Sequence, residues 1–142
     1  MMSNYYNAIH QIIRTGHWIT DQVSQELKEH DVTEPQFNVL RILKGRKGDP
    51  VTVVEIQEQM VQRTSNVTRI IDKLLVKGLV DRQECHSNRR KMDITITEEG
   101  RAFLAVLDEK VQTFHEPMKD NLTEKELEQL DHLIQKLKGN TP

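Results

Sequence analysis

Apolar residues recur along the chain at two periods, and together these predict six helices and one pair of strands. From Asn4 to about Glu29, Tyr5, Ile9, Ile12, Gly16, Ile19 and Val23 alternate at spacings of four and three, with Tyr6, Ile13 and Trp18 beside them. That is the stripe of an amphipathic helix. Thr33-Glu34-Pro35-Gln36 opens a second helix with a capping box and a first-turn proline, and Phe37, Leu40, Ile42 and Leu43 are its apolar positions. Thr52-Val53-Val54-Glu55 has the same capping form before a stripe of Val53, Ile56 and Met60. Val67, Ile70, Ile71, Leu74 and Leu75 then mark the buried face of a fourth helix ending at Gly78, a residue suited to a left-handed cap. The period changes to two in Met92-Asp93-Ile94-Thr95-Ile96-Thr97, a strand that would pair with Leu79-Val80-Asp81-Arg82. Thr97 caps a long helix with a stripe of Phe103, Leu107, Val111, Phe114 and Met118. A capping box at Thr123-Glu124-Lys125-Glu126 starts the last helix, whose stripe is Leu127, Leu130, Ile134 and Leu137.

The third and fourth helices are separated by a short turn near Val61 to Arg63, and the strand pair follows at once. Helix, turn, helix and hairpin in that order describe a winged helix-turn-helix. On the fourth helix Ser65 and Arg69 are expected opposite the apolar face, with Asn66, Thr68 and Lys73 on its flanks and Arg63 and Thr64 at the turn. Hydroxyl, amide and cationic side chains of this kind hydrogen-bond to base edges and phosphates. Between the strands, Cys85-His86-Ser87-Asn88-Arg89-Arg90-Lys91 is polar, basic and turn-prone. A cationic hairpin tip of this kind suits a nucleic-acid groove, where Arg90 and Lys91 are expected on phosphates.

The chain resembles the MarR (multiple antibiotic resistance regulator) family of transcription factors. The resemblance rests on Val67-Thr68-Arg69-Ile70-Ile71-Asp72-Lys73-Leu74, on Lys77-Gly78-Leu79-Val80-Asp81-Arg82, and on Asn88-Arg89-Arg90 followed by Ile96-Thr97-Glu98-Glu99-Gly100. It implies a mainly α fold with a small β-hairpin wing. Residues 1–32 and 98–142 would supply dimerisation helices and residues 33–97 the winged helix-turn-helix. The family's wing usually carries Asp-Arg where this chain has Asn88-Arg89. By that pattern Arg89 is the wing-tip arginine that enters a minor groove, where a narrow A·T tract concentrates negative potential. The resemblance also implies a homodimer on palindromic double-stranded DNA, a repressor relieved by a small aromatic or anionic effector bound between dimerisation helices and winged region. Tyr5, His17, Trp18, His30, Phe37 and Phe114 are the candidates to line that site.

Composition sharpens this reading in three ways. The apolar fraction is 36% and the aromatic fraction 4%, lean for a 142-residue monomer, so seams at both ends would be covered by a second copy. The net charge of −2 is unevenly spread. Between Arg63 and Thr97 eight basic residues face four acids, a local +4, so the rest of the chain carries −6. Field at the contact surface governs association rather than the total. The single cysteine, Cys85, excludes an intramolecular disulfide and fits a reducing compartment. Met1 to Tyr6 has neither a basic start nor an apolar core, and the longest apolar run, Ala102 to Leu107, is too short for a bilayer. A cytoplasmic protein with no membrane partner is expected.

Other chemistry finds little support. The six histidines (His10, His17, His30, His86, His115 and His132) show no i, i+4 pair and no accompanying Cys-x-x-Cys, so no metal site is expected. There is no glycine-rich phosphate loop, nucleophile elbow or convincing carboxylate pair, so neither catalytic residues nor a cofactor are expected. Two alternatives remain: a redox-responsive regulator acting through Cys85, whose thiol the neighbouring His86, Arg89 and Arg90 would acidify, or a winged domain used for protein interaction without an operator.

Overall fold

The computed structural model describes residues 3–85 and 87–139, with the side chain of Arg89 outside that description. Among the described residues, six helices and three strands run α1 (Asn4–Lys28), α2 (Glu34–Gly45), β1 (Val51–Thr52), α3 (Val53–Gln59), α4 (Val67–Val76), β2 (Val80–Cys85), β3 (Asn88–Ile96), α5 (Glu98–Lys119) and α6 (Glu124–Lys138). This is the mainly α, winged helix-turn-helix architecture that the periodicities predict.

The caps explain most boundaries. Thr33, Thr52 and Thr123 each accept a hydrogen bond from the N–H three residues on, and Gln36, Glu55 and Glu126 each accept one in return from the cap's own N–H. These reciprocal bonds satisfy donors that a helix start otherwise leaves bare. Thr97 does double duty: its hydroxyl accepts from Gly100 N–H at 2.9 Å and donates to the Gly78 carbonyl at 2.8 Å. Gly78 itself sits at φ +74°, so the fourth helix ends as expected.

The sheet is antiparallel in the order β1-β3-β2. Val80 faces Ile96, Arg82 faces Ile94 and Glu84 faces Met92, while β1 adds Val51 opposite Ile94. The two-residue β1 has no periodicity of its own and was not expected. The expected second strand also grows, reaching back to Asn88, so most of the polar run is strand and not loop.

One core joins the winged region to the long helices: Leu27 of α1, Leu40 and Leu43 of α2, Ile56 of α3, Ile71 and Leu74 of α4, Ile94 of β3 and Leu104 and Leu107 of α5 are all buried. On α5 the expected stripe holds at Leu107 and Val111, but its first buried side chain is Leu104 and not Phe103, which is half-buried. The cause is Gly100, one turn earlier, where α5 crosses the chain so closely that a Cβ would stand 2.1 Å from the Leu79 carbonyl oxygen and 2.8 Å from Ile96 Cγ1. Gly100→Ala should therefore destabilise the fold by about 1–3 kcal/mol despite alanine's helix propensity, read as a lowered thermal midpoint.

Burial is uneven at the chain ends. Only Val23 and Leu27 of α1 are buried, and α6 buries none of its residues. Tyr5, Tyr6, Ile12, Ile13 and Trp18 on α1, and Leu127, Leu130, Leu133, Ile134 and Leu137 on α6, remain exposed. The first and last helices thus do not cover one another within the chain. No helix among the described residues is long and apolar enough to cross a membrane.

Candidate nucleic-acid interface

The fourth helix starts at Val67, two residues after Ser65, which was expected on its face. Asn66 is its N-cap, and Asn66 Oδ1 accepts from Arg69 N–H at 3.2 Å. Asparagine is among the best caps and a poor interior residue, so the chain stops being helical there. Ser65 therefore belongs to the connection and not to the helix face. It is half-buried, and its N–H donates to the Gln62 carbonyl at 3.1 Å. The connection runs from Met60 to Asn66, longer than expected, and two bonds pin it. Val61 N–H donates to Asn38 Oδ1 at 2.9 Å, and Gln57 Nε2 donates to the Arg63 carbonyl.

Behind α4, Val67, Ile71 and Leu74 are sealed in the core. In front, Thr68, Arg69, Lys73 and the connection residues Arg63 and Thr64 are exposed. Asp72 is the one acid of α4, and Arg82 of β2 reaches it at 2.9 Å. That pair ties helix to wing and leaves the Arg69 and Lys73 charges uncompensated by their own helix. Lys77 is committed elsewhere, its Nζ donating to the carbonyl of Asp31 in the α1–α2 connection.

The wing has an irregular tip. Glu84 pairs with Met92, yet the next residue, Cys85, pairs with Asn88, so one step along β2 answers four along β3. Arg89, Arg90 and Lys91 are the surplus residues of that step. Arg90 and Lys91 are exposed; the side-chain placement expected of Arg89, like that of His86, lies outside the described residues. Cys85 is half-buried, with Sγ 3.3 Å from Ser87 Oγ. Hydrogen bonding from the Ser87 side chain and backbone holds its thiol below the ordinary cysteine range.

The six aromatic and histidine candidates for an effector site are not gathered in one place. Trp18 and Phe114 meet edge-to-face at 5.4 Å, His30 lies 6.5 Å from Phe103, and Tyr5 packs on Tyr6. Phe37 lines a cleft, of about 130 Å³, between α1, α2 and the α3–α4 connection. Val23, Phe37 and Met60 make its apolar wall, and the Arg41 guanidinium stands 5.6 Å over the Phe37 ring. Among the described residues no group of three or more His, Cys, Asp or Glu side chains is placed to hold a metal.

A family model described as the MarR family matches residues 32–92, the stretch from the α1–α2 connection into β3. Over 140 residues the chain is 28% identical to the multiple antibiotic resistance protein MarR of Escherichia coli strain K12, covering 95% of this chain and 96% of that one. Residues 32–92 thus form a MarR-family domain. Its winged architecture is shared with MarR-family regulators of known structure. The transcriptional repressor MprA of Escherichia coli strain K12 is 29% identical over 112 residues, 78% of this chain and 63% of that one. Among solved structures, a cysteine-to-serine mutant of Escherichia coli MarR complexed with operator DNA superposes with a TM-score of 0.72 at 27% identity, over 95% of this chain and 99% of that one. AbsC, a MarR-family regulator from Streptomyces coelicolor, shares the fold with a TM-score of 0.83 at 21% identity, over 96% and 94% of the two chains.

Within this MarR-family wing, Asn88 takes the place of the usual aspartate, and its Oδ1 accepts from Arg90 N–H at 3.0 Å. An amide oxygen can hold the tip's backbone as a carboxylate would, without adding a negative charge beside the arginines.

Proposed function

We propose that the chain is a homodimeric, sequence-specific regulator that binds palindromic double-stranded DNA and represses transcription until a small ligand releases it. The observation that carries this reading is the face of α4: Thr68, Arg69 and Lys73 are exposed while Val67, Ile71 and Leu74 fix the helix from behind. Such a helix fits a major groove, with Arg63, Thr64, Ser65 and Asn66 at its leading end, Arg89 reaching the adjoining minor groove and Arg90 and Lys91 on phosphates. The operator complex of the Escherichia coli MarR mutant supports the same use of the fold. Dimerisation through residues 1–32 and 98–142 would cover the apolar faces left open on α1 and α6 and set two reading helices about one DNA turn, roughly 34 Å, apart. The protein would work in the cytoplasm.

Selection from a pool of random duplexes tests this directly. Enrichment of a two-fold symmetric sequence is expected; no enrichment would leave a protein-interaction module as the better reading. On the enriched duplex, a dimer neutralising about six phosphates should show log K falling with log salt at a slope near −5. A flat titration would contradict the electrostatic part of the reading.

For the releasing ligand, the cleft over Phe37 has an apolar wall and the Arg41 cation, which suits a small aromatic acid. It borders both α1 and the helix-turn, so an occupant could favour one placement of the reading head over another.

A further inference from the structure

Gln36 is the only polar or charged residue buried with the core among the described residues, 5% exposed. Its Oε1 accepts from Thr33 N–H at 3.3 Å, which completes the α2 capping box. No described residue accepts from its Nε2, and no buried side-chain nitrogen or oxygen lacks a partner. Nε2 must therefore keep an opening to solvent. Gln36 borders two adjoining grooves: one of about 750 Å³ that Asp31 and Glu34 also line, and one of about 490 Å³ between the α2 N-terminus and α4, where it stands with Thr33, Asn66, Arg69 and Lys73. Glu34, the acid of α2's first turn, does not line the smaller groove, and its carboxylate accepts from Ser24 Oγ of α1 at 3.2 Å.

Amide donors of a buried side chain, the positive end of a 12-residue helix and two cations thus border the smaller groove, which no acid lines. We infer that this groove seats a phosphate of the DNA backbone, to which Gln36 Nε2 donates while Lys73 neutralises it. This rests on the DNA-binding reading above and extends it to α2, which carries none of the contacts expected from the sequence. The acceptor bond to Thr33 fixes the amide's orientation, so the donor is presented without further loss of side-chain freedom.

Gln36→Glu separates this role from capping. Glutamate keeps the shape and the acceptor for Thr33 N–H, and its charge suits a helix N-terminus, but it removes the donor and repels a phosphate. The thermal midpoint should stay close to wild type, while affinity for the selected duplex should fall by at least about tenfold, as loss of a charge-assisted hydrogen bond implies. The decisive readout is a set of duplexes each carrying one neutral methylphosphonate. At one position in each half-site, neutralisation should weaken wild type and strengthen Gln36→Glu. Should that variant fail to fold, Gln36→Met is read in the same scan, and neutralising that phosphate should cost it nothing. Wild-type affinity in the variant, or the same sensitivity to every methylphosphonate in wild type and variant, would overturn the inference. Inorganic phosphate added to the free protein should not shift the Gln36 side-chain amide resonances at micromolar concentration; saturation there would reassign the groove to a free anion and also overturn it. If wild type bound no duplex at all, the DNA-binding reading would fail first.

Discussion

Arg69→Ala is expected to abolish choice among DNA sequences while leaving the protein as stable as before. Arg69 is exposed on the first turn of α4, and the acid that could have paired with it, Asp72, is engaged by Arg82. Its guanidinium is thus free to meet a guanine edge with two hydrogen bonds, an arrangement worth roughly 1–3 kcal/mol of discrimination per base pair. In a dimer the loss would occur twice, so the ratio of operator to random-duplex affinity should fall by about two orders of magnitude or more. Stability should change little, since no core contact is lost and alanine favours the helix. Asn66 would make a poorer test. Its Oδ1 caps α4, so Asn66→Ala should cost about 1 kcal/mol of folding and confuse stability with affinity. Arg90→Ala and Lys91→Ala should differ in kind, weakening operator and random duplexes alike. The measurement is a gel-shift titration of operator against scrambled duplex at fixed salt. Unchanged selectivity in Arg69→Ala would remove α4 from the reading role.

What could be foreseen from the sequence is what depends on near neighbours along the chain. The capping boxes at Thr33, Thr52 and Thr123, the cap at Thr97 and the stop at Gly78 involve residues three or four apart, and all lie where the pattern puts them. The apolar back of α4 was equally legible. Its start was not, because Ser65 and Asn66 fit the helical face while Asn66 gains more by capping. β1 exists only through its pairing with Asp93 and Ile94, some forty residues away. The burial of Leu104 in place of Phe103 on α5 follows from the close approach of Gly100 to Leu79, a contact across the fold with no local signature. Aromatic candidates spread from Tyr5 to Phe114 carried no information on distance, and the structure gathers one pair of them, Trp18 and Phe114. Gln36 was visible as the partner of a cap. That its other end opens beside Arg69 and Lys73 needed the packing of α2 on α4. The one hint in the sequence is chemical: a box closed with glutamine instead of glutamate keeps an amide donor and adds no charge.

Substituting Leu130 and Leu137 together by glutamate should convert the protein to monomers and remove nearly all operator binding. These leucines lie one heptad apart on α6 and are 45% and 48% exposed, with Leu127 and Ile134 on the same face. A contiguous apolar face of this size is uncommon on a monomer, and each leucine fully covered by a partner would contribute about 1.5–3 kcal/mol to association. Two buried carboxylates would oppose that association strongly. The winged region should stay folded, because α6 contributes no residue to the core and its Thr123–Glu126 capping box is untouched. Sedimentation should therefore fall from twice the 16.6 kDa chain mass to the chain mass itself, with helical content almost unchanged. A lone reading head forfeits the second half-site, which linkage through the dimer makes worth roughly 10²–10⁴ in affinity. Binding to an isolated half-site, already weak, should hardly change, and that contrast distinguishes lost dimerisation from a damaged head. A variant that still sediments as a dimer would place the interface elsewhere. Wild type sedimenting at the chain mass at micromolar concentration would instead mean that α1 and α6 leave their apolar faces uncovered, and paired reading of a palindrome would have no physical basis.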